Sequence, residues 1–207
     1  MLEGHELGFR HAGARRAVFE GLSVRVSPGE RLALLAPSGF GKTTLCRLLA
    51  GYERPHAGHV LVDGMPLPER GACPVQLISQ HPERVFDPRL RVASSLAEAG
   101  EPEGRVLDAL GIREWWLTRY PHELSGGELQ RFSIARALTA NHAYLIADEI
   151  TTMLDAVTQA RIWGFLLAEA ERRGLGLVFV SHSPALTRRL ATRSLDLTEV
   201  CARRPLP

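Results

Sequence analysis

The segment at residues 31–50 constrains the fold more than any other part of the chain. A mostly apolar run, Arg31–Leu35, is followed by the glycine-bearing loop Ala36–Gly41 and then by a helix predicted from Lys42 to Ala50. Such an apolar run is typical of a parallel strand that is buried on both faces. Glycines between a strand and a helix let the backbone turn its N–H groups toward an anion. The segment therefore predicts a phosphate-binding loop within an α/β fold.

The residue types in this loop suit a nucleotide. The general pattern is G-x-x-x-x-G-K-[ST], and Ala36 stands where that pattern has its first glycine. Lys42 would place a cation on the β- and γ-phosphates, and Thr43 would offer its hydroxyl to Mg²⁺. A glycine-rich turn with an exposed lysine is the alternative for this segment alone. The predicted nucleotide-binding residues of this phosphate loop are Ser38, Gly39, Phe40, Gly41, Lys42, Thr43 and Thr44.

An acidic pair follows a second apolar strand. Leu145–Ala147 would be buried, and Asp148 would emerge at the carboxyl end of the strand, where α/β sheets bind ligands. The segment resembles a Walker B strand, and this resemblance implies that Asp148 would hold Mg²⁺ and that Glu149 would be the general base that positions and polarises the attacking water. An isolated Asp-Glu pair that caps the next element is the alternative. The matching phosphate loop earlier in the chain favours the catalytic interpretation.

Three shorter motifs gain meaning from their order along the chain. Ser125 is predicted to cap a helix that begins with Gly126 and Gly127, which would form a small anion site rich in N–H groups. Gln80 ends one predicted strand, and His182 follows another. A surface glutamine or a single histidine says little by itself, so both predictions depend on the rest of the series.

The alternation of strands and helices predicts a mostly parallel sheet covered by helices. Between residues 83 and 139 the patterns are helical, with no clear strand among them. We expect a single domain over 1–207, with an α/β core at 1–82 and 140–207 and an inserted helical subdomain at 83–139. Strands are predicted at Leu22–Val26, His59–Val62, Val75–Ser79, Ala143–Ala147 and Leu175–Val180, and helices at Val92–Ala99, Gly104–Leu110, Glu128–Thr139, Ala156–Arg173 and Pro184–Ala191.

Composition narrows the class of partner. The 25 Lys and Arg residues nearly balance the 23 Asp and Glu residues, so the chain lacks the basic excess that would suggest a nucleic-acid binder. The three cysteines are scattered, which indicates neither a disulfide framework nor a zinc site. No apolar run approaches the roughly 20 residues that span a bilayer, and the first residues do not resemble a signal peptide.

Five motifs follow one another along the chain: the phosphate loop, Gln80, Leu124–Glu128, the Asp148-Glu149 pair and Ser181-His182. In that order they resemble the nucleotide-binding subunit of ATP-binding cassette (ABC) transporters over almost the whole chain. The resemblance implies a P-loop NTPase core with an antiparallel β subdomain near the N-terminus and a helical subdomain that carries the signature motif, Leu124–Glu128. It also implies ATP and Mg²⁺ as ligands. Gln80 would contact Mg²⁺ and water, and His182 would contact the γ-phosphate. Asp155 would communicate between two sites.

The same resemblance implies partners and a location. Ser125, Gly126 and Gly127 would face the ATP of a second ABC subunit, in a homodimer or a heterodimer, and transmembrane permease subunits would dock beside Gln80–Arg91. The chain would then sit peripherally on the cytoplasmic face of the cell membrane. An aromatic residue near the start usually stacks on adenine, and His11 occupies the matching position.

The stretch Asp148–Asp155 and the segment after Gln80 are most similar to the peptide/nickel importer branch. Members of that branch usually extend further at the C-terminus than the 25 residues that follow His182 here. The similarity to this branch predicts an importer ATPase of the peptide/nickel type. An ATPase of another importer or an exporter, a non-transport ABC protein, and a nucleotide-binding regulator without turnover are the alternatives.

Overall fold

The computed structural model describes residues 1–139 and 141–202. Its strands are β1 (Leu2–Phe9), β2 (Phe19–Val26), β3 (Arg31–Leu35), β4 (Ala57–Val62), β5 (Met65–Pro66), β6 (Val75–Ile78), β7 (Tyr144–Asp148), β8 (Gly176–Val180) and β9 (Arg193–Asp196). Its helices are α1 (Lys42–Leu49), α2 (Val92–Ala97), α3 (Gly104–Leu110), α4 (Gly126–Thr139), α5 (Ala156–Arg173), α6 (Pro184–Leu190) and α7 (Leu197–Ala202). The predicted elements are confirmed within two or three residues at their ends, β1 belongs to the antiparallel subdomain that the resemblance implied, and β5, β9 and α7 are additions.

A five-stranded sheet in the order β6-β7-β8-β3-β9 forms the centre of the fold. Strand β3 pairs in parallel with β8 and with β9, and β7 pairs in parallel with β8. Every residue of β7 and β8 is buried, as expected for inner strands that are covered on both faces. The predicted α/β class is confirmed.

A second, antiparallel sheet has the order β2-β1-β4-β5. Strands β4 and β5 form a hairpin whose turn residues, Asp63 and Gly64, both have positive φ angles, of 51° and 77°. Tight hairpins favour such turns because their twist matches that of the strands. Buried side chains of β1 and β2 pack into one hydrophobic core with those of helix α1 and of the parallel strands. This sheet is the antiparallel subdomain that the resemblance implied.

The described residues divide into two compact units. The first unit comprises residues 1–77, 142–148 and those from 174 onward, and it contains both sheets. The second unit comprises 78–141 and 149–173, and it contains helices α2 to α5. One of the points at which the chain passes from one unit to the other is the Asp148–Glu149 peptide bond. Among the residues that the structure describes, no helix is both long and apolar enough to cross a membrane.

A buried carboxylate joins two helices of the second unit. Glu169 on α5 is only 3% exposed and accepts hydrogen bonds from Arg105 on α3, at 2.7 and 3.1 Å, and from Arg172, at 2.6 and 3.3 Å. The hydrogen bonds from Arg105 are the main reason that the pKa of Glu169 falls from 4.5 to about 2. Two cations therefore keep this carboxylate ionised inside the unit.

We expect Glu169→Gln to lower the free energy of unfolding by about 3 kcal/mol at pH 7, because it leaves two guanidinium groups without their buried counter-charge. Since the folded pKa is lower than the unfolded one, this contribution is complete above pH 4.5 and declines toward pH 2. Urea unfolding of both chains across this range should show the difference shrinking with acid. Glu103→Gln is the matched control, because Glu103 bonds the same Arg105 from a site that is 63% exposed. Equal losses from both substitutions would contradict the prediction.

Candidate functional site

The phosphate loop is shaped by two glycines with positive φ. Gly39 has a φ of 78° and Gly41 a φ of 91°, a region that side-chain-bearing residues avoid. At Gly41 space is also lacking, because a Cβ there would lie 2.5 Å from Val18 Cγ1 and 2.7 Å from Phe19 Cε1. At Gly39 a Cβ would meet nothing within 4 Å. The β1–β2 connection and the start of β2 therefore fix the loop at Gly41.

These two glycines make a matched pair for a test. We expect Gly39→Ala to lower the free energy of unfolding by about 1 kcal/mol, since only the backbone conformation becomes unfavourable. Gly41→Ala should lower it at least twice as much, because Val18 and Phe19 must also move. Thermal unfolding followed by circular dichroism measures both. Equal losses would show that the contacts with Val18 and Phe19 do not constrain the loop.

Lys42 is held inside the loop that precedes it. Its side chain is buried, and Nζ donates hydrogen bonds to the carbonyl oxygens of Ala36, at 2.8 Å, and Pro37, at 3.0 Å. Thr43 is exposed at the start of α1, whereas Thr44 is buried. Phe40 packs its side chain against the core, and its N–H donates to the Pro37 carbonyl at 3.3 Å. Ser38 is exposed.

The strand register places the other predicted residues of the first unit at one edge of the sheet. Asp148 of β7 and Leu34 of β3 both lie opposite Val180 of β8. The phosphate loop follows β3, and exposed His182 lies two residues beyond Val180. Asp148 is 2% exposed at the end of its strand. Because the carboxyl ends of parallel strands meet at the same edge, these residues converge as α/β ligand sites do.

Gln80 and Glu149 meet in the second unit. The Gln80 Nε2 donates a hydrogen bond to Glu149 Oε2 at 2.9 Å. Glu149 also has a φ of 52°, a conformation that is uncommon for residues with a side chain and that occurs both in turns and at functional sites. Its carbonyl accepts a hydrogen bond from the Thr152 hydroxyl at 3.2 Å. The structure thus brings together two residues that lie far apart in the sequence.

The signature segment is a capped helix start, as predicted. The Ser125 N–H donates to Glu128 Oε2 at 2.8 Å, and the Glu128 N–H donates to Ser125 Oγ at 3.3 Å, which is the reciprocal pattern of a capping box. A Cβ on Gly126 would lie 3.0 Å from Met153 Sδ, and one on Gly127 would lie 2.9 Å from Leu154 Cδ2. The two glycines therefore let the segment at 152–155 approach the start of α4.

Asp155 caps helix α5. It accepts hydrogen bonds from the N–H groups of Val157 and Thr158, each at 3.0 Å, and from the Thr158 hydroxyl at 2.6 Å. The bond from the Thr158 hydroxyl is the largest cause of the lowered pKa of Asp155. His11 is exposed just after β1, with its ring edge-to-face with Phe9 at 5.0 Å between centroids.

Sequence reasoning missed the residues that support the turn after Glu149. Gln159 Nε2 donates to the carbonyl oxygens of Thr151, at 2.6 Å, and Leu154, at 3.3 Å. The Trp163 indole N–H donates to the Thr151 hydroxyl at 3.1 Å. Gln159 and Trp163 are four residues apart on α5, so they share a helix face. In the sequence, a polar and an aromatic residue four positions apart, soon after the acidic pair, are the feature that could have indicated this supporting role.

The residues at the sheet edge suit a magnesium-bound nucleotide. A threonine hydroxyl and one carboxylate, from Thr43 and Asp148, are donors of the kind that Mg²⁺ uses when substrate phosphates supply further oxygens. The described residues contain no group of three His, Cys, Asp or Glu side chains that could hold a metal by themselves. The glycine-shaped loop and the Lys42 ammonium are suited to the phosphates.

The parallel sheet and the loop after β3 define the class as a P-loop NTPase fold. The family model for ABC transporter matches residues 19–152, and the chain belongs to that family. It is 36% identical to the nickel import ATP-binding protein NikE of Brucella suis biovar 1 (strain 1330), over 91% of this chain and 78% of NikE. It is 36% identical to the glutathione import ATP-binding protein GsiA of Pectobacterium atrosepticum, over 84% of this chain and 31% of GsiA.

A third relative, a protein of Brucella abortus (strain 2308) named for peptide import, is 31% identical over 93% of this chain. The chain spans 64% of the length of that relative. Among solved structures, the dimeric ATP-binding cassette MJ0796 in a post-hydrolysis state with ADP and Pi matches with a TM-score of 0.82. It is 23% identical, and the match covers 95% of this chain and 94% of MJ0796. That likeness concerns the fold.

Proposed function

We propose that this chain is an ATP-binding and ATP-hydrolysing subunit that energises a membrane ABC transporter, an importer of the peptide/nickel type. The observation that carries the proposal is the register of β3, β7 and β8, which places the phosphate loop, Asp148 and the Ser181-His182 segment at one sheet edge. The names of the relatives, which refer to nickel, glutathione and peptide import, support an importer.

In this proposal the phosphate loop binds the triphosphate. The N–H groups of residues 38–44 and the Lys42 ammonium contact its oxygens, and His182 contacts the γ-phosphate. Thr43, Asp148 and Gln80 hold Mg²⁺. When bound, the ion would offset the negative charge of the phosphate oxygens. His11 contacts the adenine.

Glu149 acts as the general base. Its carboxylate accepts a proton from the water that attacks the γ-phosphate, while the Gln80 amide keeps that carboxylate oriented through its 2.9 Å hydrogen bond. Hydrogen bonds from Gln159 and Trp163 to Thr151 stabilise the turn after Glu149, and so they stabilise the backbone that positions the base. Positioning and charge stabilisation supply most of the catalysis in phosphoryl transfer.

A second ABC subunit, identical or paralogous, completes the site. Ser125, Gly126 and Gly127 of one subunit serve the nucleotide of the other, and Asp155 communicates between the two. The dimeric state of MJ0796 supports pairing of this kind. Permease subunits dock beside Gln80–Arg91, and the chain lies peripherally on the cytoplasmic face of the membrane. The division into an α/β core at 1–82 and 140–207 and a helical subdomain at 83–139 stays a prediction from the sequence.

Phosphate release from ATP by the purified chain tests this proposal. We expect turnover that requires Mg²⁺, stops with a chelator, and rises more steeply than linearly with protein concentration if two copies pair. Absence of both ATP binding and turnover would contradict the proposal. Binding without turnover would contradict only the pairing of identical copies, and co-expression with genomic neighbours would then supply the paralogue or the permease.

A further inference from the structure

Helix α4 carries a buried amide side chain, Gln130, among buried hydrophobic residues. Gln130 is only 2% exposed, and Leu129 and Phe132 on the same helix are buried as well. Burying an amide costs free energy unless its polar atoms are hydrogen-bonded. A buried polar side chain is therefore more informative than an apolar one, and the groups that it contacts indicate its role.

Gln130 contacts the segment that contains Gln80. Its Nε2 donates a hydrogen bond to the Ser79 carbonyl at 3.4 Å, which is at the long end of the range for such bonds. The Ser79 hydroxyl in turn accepts a hydrogen bond from the His81 N–H at 3.3 Å. Helix α4 also packs against the 3-10 turn Pro82–Arg84, which follows directly. The backbone on both sides of Gln80 therefore rests on α4, with Gln130 as the polar contact.

A second glutamine makes a similar contact on the other side of the hydrogen bond between Gln80 and Glu149. Gln159 on α5 donates to the Thr151 carbonyl at 2.6 Å, two residues after Glu149. Gln130 on α4 donates to the carbonyl of the residue before Gln80. Each partner of the 2.9 Å hydrogen bond thus belongs to a backbone segment that a glutamine amide holds.

A neutral donor suits the position of Gln130. The amide offers N–H groups to a carbonyl without bringing a charge to the segment that contacts Glu149. A lysine or an arginine there would add a positive charge, which favours an ionised carboxylate and weakens it as a base. A hydrophobic side chain would fill the space but would withdraw the donor from the Ser79 carbonyl. Gln130 can therefore orient this backbone without changing the electrostatics of the carboxylate.

We propose that Gln130 is a positioning residue for Gln80. By holding the Ser79 carbonyl, it keeps the Gln80 amide within hydrogen-bond distance of Glu149. Gln130 itself touches neither the nucleotide nor the attacking water in this arrangement, so it acts only through Gln80. Its effect on hydrolysis rests on the proposed function, in which Glu149 is the general base, whereas its effect on the Gln80 side chain does not.

The test follows the side-chain amide protons of Gln80 by NMR in the chain without nucleotide, with Gln80→Ala to identify their resonances. Gln130→Met keeps the side-chain volume and removes the donor. We expect the Gln80 protons to exchange with water about fivefold faster or more in this variant, because their hydrogen bond to Glu149 opens more often. Ser133→Ala is the matched control, since it removes another polar side chain from α4, one that is 3% exposed, and it should leave the exchange rate unchanged.

An unchanged exchange rate in Gln130→Met would overturn the proposal. Equal acceleration in Ser133→Ala would overturn it too, because the effect would then come from a loosened α4. If Gln130→Met does not fold, Gln130→Asn repeats the measurement, since its amide is one methylene shorter and is withdrawn from the Ser79 carbonyl. None of these measurements needs turnover, so a chain that hydrolyses no ATP would contradict the proposed function and leave this test intact.

Steady-state ATP hydrolysis separates positioning from a general structural role. We expect Gln130→Met to lower kcat about fivefold or more, as the Gln80 amide spends less time on Glu149. In a Gln80→Ala background the same substitution should have no further effect, because residues that act through one contact are not additive. An equal loss in both backgrounds would show that Gln130 acts independently of Gln80 and would overturn the proposal.

Discussion

Lys42→Ala is expected to lower the rate of ATP hydrolysis by at least about 100-fold, in line with the loss of a positioned donor to developing negative charge. The Lys42 ammonium is buried and is held by two carbonyl oxygens of the phosphate loop, so it is already placed among the groups that precede α1. Alanine removes the cation and leaves nothing to replace it. Phosphate release and ATP binding, measured side by side, are both expected to fall.

Lys42→Arg is the informative companion to that variant. It keeps the positive charge, but a planar guanidinium cannot occupy the compact position of an ammonium between the Ala36 and Pro37 carbonyls. We therefore expect it to be nearly as inactive as the alanine variant. Hydrolysis at the wild-type rate in Lys42→Ala would show that the loop does not bind the reacting phosphates.

Glu149→Gln is expected to abolish hydrolysis by a different route, with ATP binding retained. The amide has the shape of the carboxylate and can still accept the hydrogen bond from Gln80, so the geometry of the contact survives. What is lost is the ability to take a proton from water, which is worth about 100- to 10,000-fold in rate. Single-turnover phosphate release and equilibrium ATP binding separate the two effects.

The control for this variant is Glu171→Gln, which removes the same charge from an exposed position on α5. It should hydrolyse ATP at the wild-type rate. A Glu149→Gln chain with undiminished turnover would remove Glu149 from the mechanism. If that chain stays monomeric with ATP and Mg²⁺, pairing of identical copies is wrong, and a paralogue supplies the second signature segment.

The central fold could be predicted because its signals are local. Continuous apolar runs identify β3, β7 and β8, and the glycines before Lys42 identify the loop. Strand β9 was missed because it is short and its residues alternate little, with two exposed and two partly buried positions. Its place in the sheet comes from pairing with β3, far away in the sequence. Helix α7 follows directly from it, capped by Asp196 through a 2.8 Å bond from the Thr198 N–H.

The residues of the candidate site were each proposed from a sequence motif, but the contacts that support them could not be. The order of motifs identified Gln80 and Glu149, yet their hydrogen bond and the positive φ of Glu149 are tertiary properties. In the same way, the crowding at Gly41 comes from Val18 and Phe19, which precede Gly41 by more than 20 residues. Local sequence patterns carry no information about which distant side chain fills a neighbouring space.

The burial of Lys42 has a practical consequence, because Lys42 is the only lysine in the sequence. The side-chain cations on the surface of the described chain are therefore arginines, apart from any protonated histidines. For reagents that acylate amines, the only primary amines in this sequence are the α-amino group and this one buried side chain. Immobilisation or fluorescent labelling through primary amines would thus attach the chain by its first residue or by its phosphate loop. Amine-directed cross-linking would leave the rest of the protein unmarked.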